Sequence, residues 1–237
     1  MQRVFRTYTA AFFAILVSAC GGGHDTAAPS SANFDLQAGI AKMVTNGFSA
    51  NVNLSGTVSV NGVSTPFTGS GTFTRAPAVS ATFNGTAALS QMTAVAGTIA
   101  AAGQSRSYST SVTDYYASSD SAFLGEVSGS EYDVAQAPLL FPTMVVGGSS
   151  GTLGTLSRYT DSTMSVSLGT AQVSYSVMAP VDPGSPIGVV VTTKIYDTQN
   201  TLIETDVTNY TMTSSSVISL SGASAQNQFG TLTVTAQ

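Results

Sequence analysis

The chain has one cysteine, one histidine and no tryptophan in 237 residues. A single thiol forms no internal disulfide, so a folded body must be held by its core alone. One histidine and one cysteine cannot build a zinc site of the usual kind. Charge is scarce too. Asp, Glu, Lys and Arg make up 8% of the sequence, against roughly 25% in ordinary soluble domains. The basic residues beyond the first few positions are Lys42, Arg75, Arg106, Arg158 and Lys194, each isolated from the others. Nucleic-acid binding needs clustered Lys and Arg, so no such partner is expected. No metal and no cofactor is expected either.

What is present begins at the N-terminus. Arg3 and Arg6 precede an apolar run at 10–17, which ends in the small residues Ser18-Ala19-Cys20. A positive start, a short apolar middle and a small-residue end make a secretory signal. A spanning helix needs about 20 apolar residues, more than this run has. Leu16-Val17-Ser18-Ala19-Cys20 resembles the lipobox of bacterial lipoproteins. The resemblance covers the first twenty-odd residues only. It implies cleavage before Cys20, a diacylglycerol on its thiol, palmitate as acyl chain of the anchor, and attachment to a membrane. In the enteric members of that class an aspartate after the cysteine marks the inner membrane; Gly21 here implies the outer one. The expected organisation is a signal peptide at 1–19, a lipidated Gly/Ser/Pro tether at 20–31 and a β-rich domain at 32–237. Two of the seven basic residues fall in the signal, leaving five against twelve acidic groups, a net charge near −7.

Hydrophobic residues make up 43% of the chain, which is not a disordered composition. Residues 31–46 predict the one helix. Leu36, Ile40, Met43 and Val44 form an apolar stripe at helical spacing, with Ser30 or Ser31 as cap, Asp35 in the first turn and Asn46-Gly47 as the stop. Gly39 within the stripe predicts a close approach to a sheet. From Phe48 the period becomes two. Residues 50–74 predict a hairpin turning at Asn61-Gly62, a preferred type I′ pair. Its register places Val60 opposite Val63, Gly56 opposite Phe67, Leu54 opposite Gly69, Val52 opposite Gly71 and Ala50 opposite Phe73. All of these share one face, and the other face is Ser, Thr and Asn apart from Pro66. A one-residue slip would bury a row of hydroxyls. The unit recurs 41 residues on, with Gly97-Thr98-Ile99 for Gly56-Thr57-Val58 and Tyr108 for Phe67.

Further strands are expected at 109–116, 123–127, 131–135, 152–160, 164–168, 173–178, 187–196, 202–212, 217–220 and 230–235. The apolar, glycine-rich stretch 138–151 is the seam if the body has two lobes. The expected fold class is all-β: an antiparallel meander forming a coiled sheet, a sandwich or an unclosed barrel, with one N-terminal helix packed on it.

Motifs for catalysis are weak. Gly147-Gly148-Ser149-Ser150-Gly151 matches a nucleophile elbow, but that site needs a strand-to-helix turn and a histidine base. His24 lies in the tether, where no serine can be held within its reach. Asp114, Asp120, Glu126, Glu131, Asp133, Asp161, Glu204 and Asp206 could form a carboxylate pair, and are read instead as solvated surface groups. Tyr108, Tyr115, Tyr116 and Tyr132 are the candidate ligand-binding residues. Tyr115 and Tyr116 must face opposite sides of a strand, so one ring is expected to be exposed.

These features point to an envelope lipoprotein with a non-enzymatic β-domain that binds an apolar or amphipathic ligand. A coiled sheet with a helix across its hollow resembles, in architecture only, the unclosed-barrel carriers of the periplasm. The alternative is a structural or adhesive surface module that binds protein or glycan. A transmembrane barrel is disfavoured, because the last strand lacks an aromatic and a lipid anchor would be redundant. The anchor is testable. Cys20→Ala is expected to abolish incorporation of radiolabelled palmitate, since acyl transfer needs the thiol; equal label in both proteins would exclude the lipoprotein reading.

Overall fold

Strict alternation of apolar and hydroxyl side chains dictates the first hairpin. β1 (Phe48–Val60) and β2 (Val63–Arg75) pair along their whole length, from Phe48↔Arg75 to Val60↔Val63. The register is the one the alternation requires. Val52, Leu54, Phe67 and Phe73 are buried, while Asn53, Ser55, Thr68 and Ser70 are exposed. The computed structural model describes residues 33–60, 63–182 and 184–237. The signal segment, Cys20, His24, the tether and the Asn61-Gly62 turn lie outside the described residues.

The recurrence of the hairpin is structural. Gly97 faces Tyr108 as Gly56 faces Phe67, across β4 (Thr86–Ala101) and β5 (Gln104–Ala117). The turn between them holds Ala102 at φ 49 and Gly103 at φ 75, as a type I′ pair needs. β3 (Val79–Phe83) and the first half of β4 are strands that the sequence pattern did not indicate. They follow a break at Pro77 and rest on aromatic packing described below.

The meander continues as β6 (Phe123–Ser128), β7 (Glu131–Leu139), β8 (Ser150–Tyr159), β9 (Ser167–Met178), β10 (Ile187–Tyr196), β11 (Leu202–Met212), β12 (Ile218–Asn227) and β13 (Gly230–Ala236). The expected strands at 164–168 and 173–178 are one, β9. Met164 lies in the preceding turn at φ 54.

The expectation of an open sheet or a sandwich is overturned. β13 returns to pair with β1 from Val52↔Ala236 to Val58↔Gly230, and β2 pairs with β4 from Phe67↔Ala101 to Arg75↔Thr93. The sheet therefore closes into a barrel of 12 antiparallel strands, with β3 as a short branch on the edge of β4. Closure satisfies both edges that a meander would leave bare. At the β2–β4 seam the backbones come close. A Cβ on Gly97 would lie 2.6 Å from the Gly71 Cα, so a side chain there would force the strands apart.

α1 (Leu36–Asn46) begins with the apolar stripe itself, five residues after the expected start at 31, and its cap is neither Ser30 nor Ser31. Asp35 is its N-cap, accepting from Ala38 N–H at 2.8 Å, and Gly47 ends it at φ 61. A free helix this short is marginal in water, so packing must hold it. Leu36, Ile40, Met43 and Val44 are buried, and Lys42 donates outward to the Ser215 carbonyl at 2.6 Å. Gly39 is the close approach: a Cβ there would meet Met212 Sδ at 2.7 Å. The helix covers one barrel end, beside residues 140–149. Phe34 pairs with Val145 in that segment, and both side chains are buried.

Apolar side chains point inward and hydroxyls outward. A membrane-spanning barrel has the reverse arrangement, with an apolar band facing lipid. Phe67→Ala is expected to cost about 3–5 kcal/mol as a buried aromatic, and Ser55→Ala to stay within about 0.5 kcal/mol. Urea denaturation of both variants checks this, and comparable losses would refute the face assignment.

Candidate functional site

Alternation on β2 runs Phe67, Gly69, Gly71, Phe73 and then Arg75, so a guanidinium enters the apolar face of the barrel. Arg75 is 8% exposed. It forms an ion pair with Asp114 and donates to Gln91 Oε1 at 2.8 Å, Tyr116 OH at 2.7 Å and Tyr210 OH at 3.1 Å. Thr93 also donates to Asp114, at 3.2 Å. Gln91 in turn donates to the carbonyls of Met43 at 3.0 Å and Val44 at 3.1 Å, in the last turn of α1. The Met43 carbonyl also accepts the capping Gly47 N–H at 2.9 Å, and the Val44 carbonyl the Ala78 N–H at 2.9 Å. Burial by itself would lower the Arg75 pKa. The neighbouring Tyr116, Asp114 and Tyr210 oxygens outweigh it, and the guanidinium stays charged. Burial pushes the Tyr116 hydroxyl well above its usual range, so it stays protonated.

Beneath this network lies a cavity of about 130 Å³, close to the size that accepts one benzene ring. Ile40 and Met43 of α1 contribute to its roof. Its lining is apolar at Leu139, Leu156, Ala171, Val173 and Val191. It is acidic at Glu126, Asp133 and Asp206.

Each acidic residue reaches the interior for a local reason. Glu204, Asp206, Thr208, Tyr210 and Met212 alternate along the inward face of β11. A register shift between Phe123 and Gly125 lets both Phe123 and Glu126 face the cavity, although they are three residues apart. Gly125 takes φ 151 to permit it. Asp133 sits between outward-facing neighbours on β7 and pairs with Arg158 at 3.0 Å; Arg158 also holds Glu131 at 2.6 Å.

Desolvation dominates the protonation of these acids. Burial raises the Asp133 pKa to about 6, even beside Arg158. Burial, then repulsion from Asp133 and Asp114, holds Glu126 well above the ordinary carboxyl range. Burial and the charge of Glu204 do the same to Asp206, and burial also raises Glu204. Asp133 Oδ1 and Asp206 Oδ1 are buried with no hydrogen-bond partner.

The reading of the carboxylates as surface groups is therefore corrected for Asp114, Glu126, Asp133, Glu204 and Asp206, which lie inside the barrel. Asp120 and Asp161 lie in loops as expected, binding the backbone N–H groups of Ala122 and Thr163. Extending the β2 alternation by one step would have found Arg75. Nothing local announces the bulge that turns Glu126 inward.

The four candidate tyrosines are not brought together on one surface. Tyr116 lines the cavity. Tyr108 is buried in the main core. Tyr115 and Tyr132 are on the outer face, where the Phe83 ring stacks on them at 4.4 Å and 5.2 Å. Tyr132 also donates to Asn84 Oδ1 at 2.6 Å. This aromatic trio fastens the β3–β4 hairpin to the barrel wall. Neither member of the Tyr115–Tyr116 pair is fully exposed.

The sequence matches no family model and no curated protein. A solved structure that matches is the crystal structure of a DUF1329 family protein from Desulfovibrio piger, at 7% identity over 86% of this chain and 92% of that one. Its TM-score of 0.26 is too low to carry fold or role from one protein to the other.

The raised carboxyl pKa values set a pH dependence. The folded state keeps protons on these acids that the unfolded chain releases from about pH 4. Stability therefore falls as pH rises from about 4 through the Asp133 value of about 6, and further for Glu126 and Asp206. The melting temperature is expected to be higher at pH 5 than at pH 8. Asp206→Asn is expected to raise stability at pH 8 and flatten the slope. A wild-type protein more stable at pH 8 would contradict the buried, unpaired acids.

Proposed function

We propose that this protein is a non-enzymatic lipoprotein of the bacterial outer membrane, tethered through Cys20, whose barrel holds a small amphipathic molecule. The observation that carries the reading is the interior cavity, lined by both apolar and polar side chains. That mixture suits a ligand with a greasy body and one polar end. Tyr116 is the one candidate tyrosine placed to touch it.

Size constrains the ligand. About 130 Å³ accepts a ring or a short chain. A long acyl chain would need α1 to move away from Met212 and Ile218. Geometry also argues against a hydrolase. Ser149 Oγ accepts from the Val146 N–H at 3.0 Å in a tight loop, and β8 follows it as a strand. That is not the strand-to-helix elbow a nucleophilic serine requires.

The test is a panel of benzene-sized ligands followed by thermal denaturation. A ligand at a hundredfold excess over its Kd stabilises the fold by about 2.7 kcal/mol. For a domain of this size that is a rise of about 5–10 °C. Ala171→Leu adds bulk to the cavity wall and is expected to abolish the rise. No stabilisation by any member of the panel, with Ala171→Leu indistinguishable from wild type, would overturn the proposal.

A further inference from the structure

The interior of the barrel holds more acid than base. Arg75 is committed to Asp114, and Arg158 to Glu131 and Asp133. Among the described residues Glu126, Glu204 and Asp206 take part in no ion pair. Asp206 is 5% exposed and Asp133 4%, and each keeps one oxygen without a donor while lining the cavity. Buried carboxyl oxygens need a proton, a cation or a hydrogen-bond donor. The protein supplies too few.

We infer that the ligand is a small amine whose protonated nitrogen sits among Glu126, Asp133 and Asp206, with its apolar body against Leu139, Leu156 and Val173. This rests on the proposed function above and names the chemical class of its ligand. An ammonium offers three N–H donors and no acceptor, which complements the unpartnered acceptors of Asp133 and Asp206. Its charge balances the excess acid. Leu139, Leu156 and Val173 carry no side-chain polar group that would compete for the nitrogen, and they fit a ring or a short alkyl chain. A bound metal ion is a poorer match. Among the described residues no three Asp, Glu, His or Cys side chains converge closely enough to ligate one. An ammonium nitrogen holds its acceptors at about 2.7–2.9 Å, farther out than a metal ion does, and is satisfied by two of the three carboxyls. An anion brings further acceptors to oxygens that already lack donors, and ionised Asp133 repels it.

The experiment uses three isosteres on the mature chain at neutral pH: benzylamine, benzyl alcohol and benzoate, read by calorimetry. Benzylamine is expected to bind about tenfold tighter than benzyl alcohol, the difference between a charge-assisted and a neutral hydrogen bond. Benzoate is expected not to bind. Asp206→Asn is expected to narrow the advantage of the amine over the alcohol toward equal affinity; a circular-dichroism melt confirms that the variant is folded. If it does not fold, the wild-type panel alone decides. Equal affinity for amine and alcohol would overturn the amine assignment and leave the cavity reading standing. Binding of none of the three would overturn both. Stabilisation by calcium or magnesium equal to that by benzylamine would also overturn it, in favour of a metal ion.

Discussion

The Arg75–Asp114 ion pair bridges across β4 on the inner face of the ring. Arg75 stands on β2 and Asp114 on β5, two strands that are not neighbours in the sheet. Through Tyr210 the same guanidinium reaches β11 on the far side, and through Gln91 it is linked to the C-terminal carbonyls of α1. Taking both charges out of water costs nearly what their attraction returns, so such a pair adds little net stability. Its effect is on arrangement. A guanidinium has five donors in a fixed plane, and each must find an acceptor when buried. Only one relative placement of β2, β4, β5 and β11 satisfies them. Loss of one partner would strand the other charge, at a cost of about 3–5 kcal/mol.

The width of the barrel explains why such long polar side chains are needed. A ring of about eight strands is filled by its own inward side chains. Twelve strands enclose more. Part of the extra volume is taken by α1, which places Leu36, Ile40, Met43 and Val44 in the main core. Part is taken by Arg75, Tyr116 and Tyr210. The remainder is the cavity. The unpaired acids lie along this unfilled space, where a carboxyl can be enclosed by protein and still face a void. Raised pKa values and orphan oxygens are thus two consequences of one geometry: acid side chains on the inner wall of a ring too wide to close over them.

Legibility followed the range of the interaction. The β1–β2 register could be read to the residue, because burial of one face forbids a slip and the alternation is unbroken. β10 and β11 were legible for the same reason. Gly39 announced its packing, since a glycine within an apolar stripe makes sense only against a close neighbour. β3 and the start of β4 were not legible. Their alternation is weak, and they are held by Phe83 stacking on Tyr115 and Tyr132, residues 32 and 49 positions away. The candidate site was legible in part. Tyr116 was singled out, but for an exposed ring rather than for a hydroxyl beside Arg75. The acids read as surface groups in the sequence, because most stand beside turn residues or on the polar face of an expected strand.

By itself, then, the sequence determined the period-two alternation, the hairpin faces, the single helix and the scarcity of charge, since each is a property of neighbouring residues or of composition. Its Leu16–Cys20 stretch also resembles a lipobox. Tertiary structure decided that β13 meets β1 and that β2 meets β4. No local signal encodes that closure, because it depends on the twist accumulated over every strand between. Closure in turn decided which face is an interior. The same alternation that would make Asp206 a surface carboxylate on an open sheet makes it a buried one inside a ring.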